Sequence, residues 1–288
     1  MTNTVAIIGT GAVGATIGAW LTADQALQVT LCARTPFERL RVETPAGVLE
    51  STPRLLLEPE AAAPVDWVIV ATKTYDAGGA SRWLDRLLGP CTRLAVLQNG
   101  VEHLARFPEV EPASVVPVIV DIPAERTAPG QVVQRRTGSL TMPAGANGEA
   151  FARLFAHTPI ETSLTDDWLT AAWRKLAVNC AGAVSALTLK PAGIVADQEV
   201  AALMRAMVLE CVAVGRAQGA RLDDGLADEV VEGYRQGPPD SINSILADRL
   251  AGRATEADAR NGVIARLGRR HAIPAPLNHM ADVLLRAS

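Results

Sequence analysis

The 288-residue chain has little cysteine and histidine, and neither is spaced for metal or redox chemistry. Cys32, Cys91, Cys180 and Cys211 lie far apart and form no C-x-x-C pair. That disfavours a dithiol centre and points to buried, reduced thiols in the cytoplasm. His103, His157, His271 and His279 form no H-E-x-x-H pair, so no metal site is expected. Basic residues are not in excess: 27 Lys and Arg face 31 Asp and Glu, for a net charge of -4. This balance speaks against nucleic-acid and membrane-surface binding, although a few local cations would still serve a small anionic substrate. No uninterrupted apolar run is long enough to span a bilayer. The N-terminus leads directly into a strand pattern without a basic n-region, so no signal peptide is expected.

Hydrophobic residues make up 49% of the chain and charged ones 20%, which suits folded cores rather than disorder. The length exceeds one typical domain and suits two. Val5-Ala6-Ile7-Ile8, Val29-Thr30-Leu31-Cys32-Ala33, Asp66–Ala71 and Arg93–Leu97 read as buried strands. Ser114–Val120 reads as a fifth strand. Helical spacing separates the first two. This alternation predicts an α/β Rossmann-type N-terminal domain with a doubly wound parallel sheet. Between Val120 and Pro143, around the turn signal Pro129-Gly130, antiparallel strands are expected at the edge of that sheet. After about Thr165 only helical patterns remain. Asp166-Asp167 precede one through Trp168 and Ala177, and further stretches cover Glu199–Gln218, Ser241–Arg249 and Glu256–His271. The expected division is residues 1–165 as a dinucleotide-binding domain and residues 166–288 as an all-α catalytic domain.

Gly9-Thr10-Gly11-Ala12-Val13-Gly14 fits G-x-G-x-x-G between a strand and a helix, the context that gives this motif its meaning. Gly9 allows the turn, Gly11 lets a pyrophosphate approach the backbone, and Gly14 lets helix and strand pack closely. All six residues are expected at the cofactor. The helix N-terminus adds free N–H groups and a partial positive charge. At the end of the second strand, where NAD sites usually carry an acid, stands Arg34. A guanidinium suits a 2′-phosphate, so NADPH/NADP+ is the expected cofactor. The plainer reading of Arg34 is an exposed arginine after a strand. Thr72-Lys73 and Gln98-Asn99-Gly100 follow the third and fourth strands, where such sheets bind ligands. Lys73 is a candidate for a cofactor phosphate and Asn99 for the nicotinamide or its ribose, although Asn-Gly is also an ordinary turn pair.

In the helical half, Lys175 and Asn179 are four residues apart and share a helix face with mostly apolar neighbours. A lysine on such a face is a candidate general acid for a carbonyl oxygen as hydride arrives. The bland reading is a solvated lysine on an amphipathic helix. Ser244 and Thr255-Glu256 read by themselves as helix starts.

With these residues in place, the chain resembles the ketopantoate reductases over nearly its whole length. The resemblance rests on the glycine turn, Thr72-Lys73, Gln98-Asn99-Gly100, W-R-K-L-A-V-N-C at 173–180, N-S-I-L-A-D at 243–248 and G-R-A-T-E-A-D-A-R-N-G at 252–262. It implies a Rossmann domain and a helical domain with the substrate in the cleft between, where NADPH reduces a 2-oxo acid to a 2-hydroxy acid. It implies Lys175 as general acid, Asn179 orienting Lys175 or the substrate, and Ser244 on the substrate carboxylate. It further implies Glu256 on the substrate hydroxyl, Arg34 and Lys73 on the cofactor phosphate, and Asn99 by the nicotinamide ribose and the substrate. The chain departs from the family where many members carry a second asparagine four residues after Asn179; here Ala183 stands. Two other readings remain open. One is a β-hydroxyacid dehydrogenase, although Val120-Asp121-Ile122-Pro123-Ala124 lacks the glycine pair usual there. The other is a non-catalytic NADPH sensor. Apolar faces on the C-terminal helices suit either the core or a homodimer.

Overall fold

The computed structural model describes residues 3–288. The chain divides into two compact units. One takes the chain up to Gln98 and again over Glu102–Trp168; the other takes Asn99–Val101 and Leu169–Ser288.

The first unit is built on β1 (Asn3–Ile8), α1 (Ala12–Thr22) and β2 (Leu27–Cys32). Three further strands follow: β3 (Leu40–Thr44), β4 (Gly47–Ser51) and β5 (Arg54–Leu56). Then come β6 (Trp67–Val70), α2 (Ala77–Leu87), β7 (Arg93–Val96) and β8 (Val115–Pro117). Its main sheet has the order β5-β2-β1-β6-β7-β8, and every pairing in it is parallel. Strand side chains alternate between two apolar layers, which is why the strands are apolar throughout. Val5, Ile7, Leu31 and Ile69 pack with α1 residues Ile17 and Leu21. Ala6, Ile8, Val68 and Val70 pack with α2 residues Trp83 and Leu84. The strand order reverses at β1/β6, and the loops that leave β1, β6 and β7 there carry Gly9, Thr72 and Gln98. In such sheets this switch point is where ligands bind.

Two expectations about strands need correction. Ser114–Val120 is not one strand. Val118 N still donates to Val96 O (3.0 Å), but Ile119–Asp121 leaves as β9. It pairs antiparallel with β12 (Ser139–Pro143), because β7 has ended at Val96 and offers no further ladder. The hairpin of β10 (Ala124–Ala128) and β11 (Gln131–Gln134) does turn at Gly130, whose φ is +72°. It does not extend the main sheet: β11 pairs with β3, and β10-β11-β3-β4 form a separate four-stranded sheet. The third sheet is β13-β12-β9, with α3 (Ala146–Arg153) preceding β13 (Glu161–Thr165).

The second unit is helical: α4 (Trp168–Ala181), α5 (Ala183–Thr188), α6 (Gln198–Ala217), α7 (Gly225–Gln236), α8 (Ser244–Leu250), α9 (Val263–Arg270) and α10 (Pro276–Ala287). One apolar core joins them, with Trp173 its largest fully buried side chain. Gly215 lets α6 approach closely, since a Cβ there would lie 2.9 Å from a Trp173 ring carbon. Asp197 caps α6 by accepting from the N–H groups of Glu199 and Val200. Three local expectations change. Cys91 is exposed, whereas the other three cysteines are buried. Thr255 caps nothing, since its hydroxyl is buried without a hydrogen-bond partner. The helix leading to His271 opens with a wide π turn over Asp258–Gly262 before becoming regular at Val263.

Candidate functional site

The glycine turn is shaped by close contacts. Gly9 has φ +99°, which favours glycine, and its N–H donates to Cys32 O (3.1 Å). A Cβ on Gly14 would lie 1.9 Å from Gly9 O and 3.0 Å from the Ala71 Cβ. Gly14 therefore serves the turn itself. Its contact with Ala71, just past β6, also brings the helix close to the strand ends, and Gly18 extends that packing, since a Cβ there would lie 2.8 Å from Leu31 Cδ2. Gly11 is different again, because a Cβ there would meet nothing within 4 Å. The space beside Gly11 is open, as a ligand phosphate would need. Gly11 also precedes α1, whose first turn holds no acid and whose N-cap has no side-chain hydrogen bond. The first N–H groups of α1 thus keep their capacity for an anion. These features fit a dinucleotide pyrophosphate, with Gly9, Thr10, Gly11, Ala12, Val13 and Gly14 forming its cradle.

Arg34 lies just beyond β2 with its side chain 84% exposed, and it forks onto both oxygens of Asp76 (3.3 and 3.1 Å). An exposed pair of this kind holds about 0–1 kcal/mol, so a phosphate can displace the acid. Asp76 was not foreseen from the sequence, because it lies 42 positions from Arg34. Lys73 is half-buried and begins a short 3₁₀ turn over Thr74–Asp76. Gln98 is buried and donates to Thr72 Oγ1 (3.0 Å), tying the ends of β6 and β7 together.

The second unit gathers side chains from distant positions. α4 places the half-buried Lys175 one turn before Asn179 on one face. Asn179 Nδ2 reaches Asn99 Oδ1 in a long contact of 3.5 Å, and Asn99 Nδ2 donates to Glu256 Oε2 (2.9 Å). Glu256 is 4% exposed, so this carboxylate is held at a buried position. Asn99, Asn179 and Glu256 therefore form one chain of polar contacts. Ser244 is separate: it opens α8 but does not cap it. Asn243 is the cap, accepting from Leu246 N (2.9 Å) and donating to Gly182 O (3.1 Å). The Ser244 hydroxyl accepts from Arg260 Nη2 (2.7 Å). Ala183 does not continue the Lys175–Asn179 helix. α4 stops at Ala181, and Ala183 starts α5 fully buried in the apolar core.

Several polar residues that hold this arrangement escaped the sequence reading. Asn261 is fully buried and donates to Cys180 O (3.1 Å) and Asn278 Oδ1 (2.9 Å). Asn278 in turn donates to Met207 O and Glu210 Oε2. Glu210 accepts from the backbone N–H groups of Leu277 and Asn278, capping α10. This network ties the π turn to the end of α4 and to the middle of α6. The Tyr234 phenol donates to Val178 O (3.1 Å), and burial pushes its pKa up to about 12 while the nearby Arg260 charge pulls it down.

A doubly wound sheet with a glycine cradle at its switch point, followed by a helical unit holding a lysine, two amides and a buried carboxylate, defines a nicotinamide-dependent oxidoreductase. The comparisons narrow this further. The family profile described as ketopantoate reductase PanE/ApbA matches residues 5–147, and its C-terminal counterpart matches residues 167–288. A 2-dehydropantoate 2-reductase from Caulobacter vibrioides is 57% identical over 287 residues, covering 99% of each chain. A PanE/ApbA family ketopantoate reductase from Ralstonia eutropha superposes with a TM-score of 0.90 at 30% identity, over 99% of this chain and 97% of that one. A ketopantoate reductase from Staphylococcus aureus described as dimeric gives 0.87 at 26% identity, over 99% and 98%. The chain belongs to the ketopantoate reductase family. It is an oxidoreductase acting on the CH–OH group. No helix among the described residues is long and apolar enough to cross a membrane.

Proposed function

We propose that this enzyme reduces 2-dehydropantoate (ketopantoate) to pantoate with NADPH. The observation that carries the reading is the contact chain Asn179–Asn99–Glu256, one helical turn from Lys175. The dinucleotide, when bound, supplies the hydride. Gly9–Gly14 would hold its pyrophosphate, and Arg34, released from Asp76, would hold its 2′-phosphate with Lys73 as a second cation. Lys175 gives a proton to the ketone oxygen as charge develops there. Asn179 orients that lysine and the oxo acid. Glu256 accepts from the substrate hydroxyl and, through Asn99, keeps the amide at a fixed angle. Ser244 donates to the substrate carboxylate.

The identity to the Caulobacter enzyme supports this substrate over other 2-oxo acids. A cytoplasmic setting is proposed from the free thiols. A homodimer is proposed from the Staphylococcus relative and from the exposed Met280, Val283 and Leu284 on α10. The test is NADPH oxidation against a panel of 2-oxo acids. Ketopantoate should give the highest kcat/KM, with pyruvate-like and branched acids well below. Tight NADPH binding with no consumption on any acid would overturn the assignment.

A further inference from the structure

Arg260 is 3% exposed, yet no carboxylate among the described residues pairs with it. The neighbouring arginines are served: Arg253 by Asp248, Arg266 by Asp258 and Arg286 by Asp282. Arg260 has the Ser244 hydroxyl on Nη2, and its Nε is buried with no acceptor at all. A guanidinium has five donors and does not lose its proton, so burying one without a counter-charge costs several kcal/mol. Such a cost persists at sites where a ligand completes the charge. The residue is also held in place. It sits in the π turn, a helix irregularity frequent at functional sites, and the next residue, Asn261, is fixed to Cys180 O and Asn278.

We propose that Arg260, acting with Ser244, is the anchor for the substrate carboxylate in this chain. The inference rests on the oxo-acid reading given above and deepens it. A two-pronged guanidinium matches the planar carboxylate common to 2-oxo and 2-hydroxy acids. Ser244 then accepts from Arg260 and donates its own proton to the same carboxylate. The anchor also accounts for the absent asparagine: at Ala183 the chain offers a core methyl group, and a charged donor beside Ser244 supplies the grip. The acid selected is a monocarboxylate, and its neutral amide or ester should bind poorly.

Titration of the enzyme–NADP+ complex with pantoate and with its carboxamide tests this, alongside ketopantoate kinetics. The wild-type protein should prefer acid over amide about a hundredfold. Arg260→Met should lower pantoate affinity by about thirty- to a hundredfold and leave amide and NADP+ affinities within about twofold. Its KM should rise far more than its kcat falls. Arg260→Lys keeps the charge without the fork and should lose about tenfold; it carries the test if the methionine variant does not fold. An unchanged acid/amide preference in the folded variants would overturn the anchor while leaving the reductase reading intact. So would a wild type with no preference. A fall in NADP+ affinity alone would assign Arg260 to a cofactor phosphate and also overturn it. Pantoate binding that depends on Arg260, without turnover of any 2-oxo acid, would keep the anchor and remove the proposed reaction.

Discussion

The two units build their sites by opposite means. The glycine turn is made from backbone and from missing side chains: Gly9 for its φ, Gly14 for the 1.9 Å approach to Gly9 O, Gly11 for open space. All of it lies within six consecutive positions. The helical unit's candidate site is made of side chains from distant positions, and packing alone brings Asn99 to Asn179 and Glu256, and Ser244 to Arg260. A backbone-built site tolerates little change in shape but asks little of distant residues. A side-chain-built site can tolerate drift in one member, provided the others and their supports remain.

The largest expected effect breaks the second kind of site. Lys175→Ala should lower kcat by about 10²–10⁴-fold, the usual worth of a general acid, while the NADPH Kd measured by fluorescence stays within about twofold. Unchanged turnover would remove Lys175 from the chemistry.

The next separates shape from ligand contact within the turn. Gly14→Ala forces its Cβ onto Gly9 O, so a Tm loss equivalent to about 1–3 kcal/mol is expected even without cofactor. Gly11→Ala has no protein atom to strike and should leave the Tm of the cofactor-free enzyme unchanged while weakening NADPH about tenfold or more. Equal Tm losses in both would mean that Gly11, too, serves the fold alone.

A smaller effect comes from a buried group outside both sites. His103 packs edge-on to Trp168 (5.1 Å between centroids), and its ring nitrogens make no well-formed hydrogen bond. Burial pushes its pKa down from 6.5 to about 3, with the Arg106 charge adding to the effect and backbone groups of Gln98 and Val118 opposing it. Between those values the unfolded chain binds a proton that the folded chain does not. Stability should therefore fall as pH drops below 6.5, levelling near about 3. His103→Leu should flatten that slope by up to about 1 kcal/mol per pH unit in urea titrations. An identical slope would assign the acid sensitivity to other groups.

The smallest effect concerns Arg34. Arg34→Ala should cut the NADPH/NADH preference about tenfold. Asp76→Ala should raise NADPH affinity by no more than a few fold, because the exposed pair it removes is weak. Loss of NADPH affinity in the aspartate variant would mean that Asp76 positions Arg34 rather than competing for it.

Much of the first unit was legible because its signals are local. Buried strands such as Val5–Ile8 must be apolar on both faces, and the alternation with helices follows directly. The strands β3, β4 and β5 were not legible, since Leu40–Leu56 mixes charged and apolar residues, β3 and β4 on a half-exposed sheet and β5 at the edge of the main one. Ser114–Val120 misled because one β-branched run feeds two sheets, a division set by where β7 ends. In the helical unit the Lys175–Asn179 spacing was visible along one helix. The Asn99–Glu256 bond spans 157 positions and the Asn278–Glu210 support 68, and no periodicity encodes either.

The sequence by itself determined the glycine cradle, the alternation that makes a parallel sheet, and the helical character after Thr165, because backbone sterics and burial periodicity act over a few residues. Tertiary structure alone decided that Gly18 joins Gly14 in packing helix on strand, and that Arg34 is shared with Asp76. It alone decided that Arg260 lies buried against Ser244 without a counter-charge. Those outcomes depend on which distant groups meet at hydrogen-bond range, and that is set by packing.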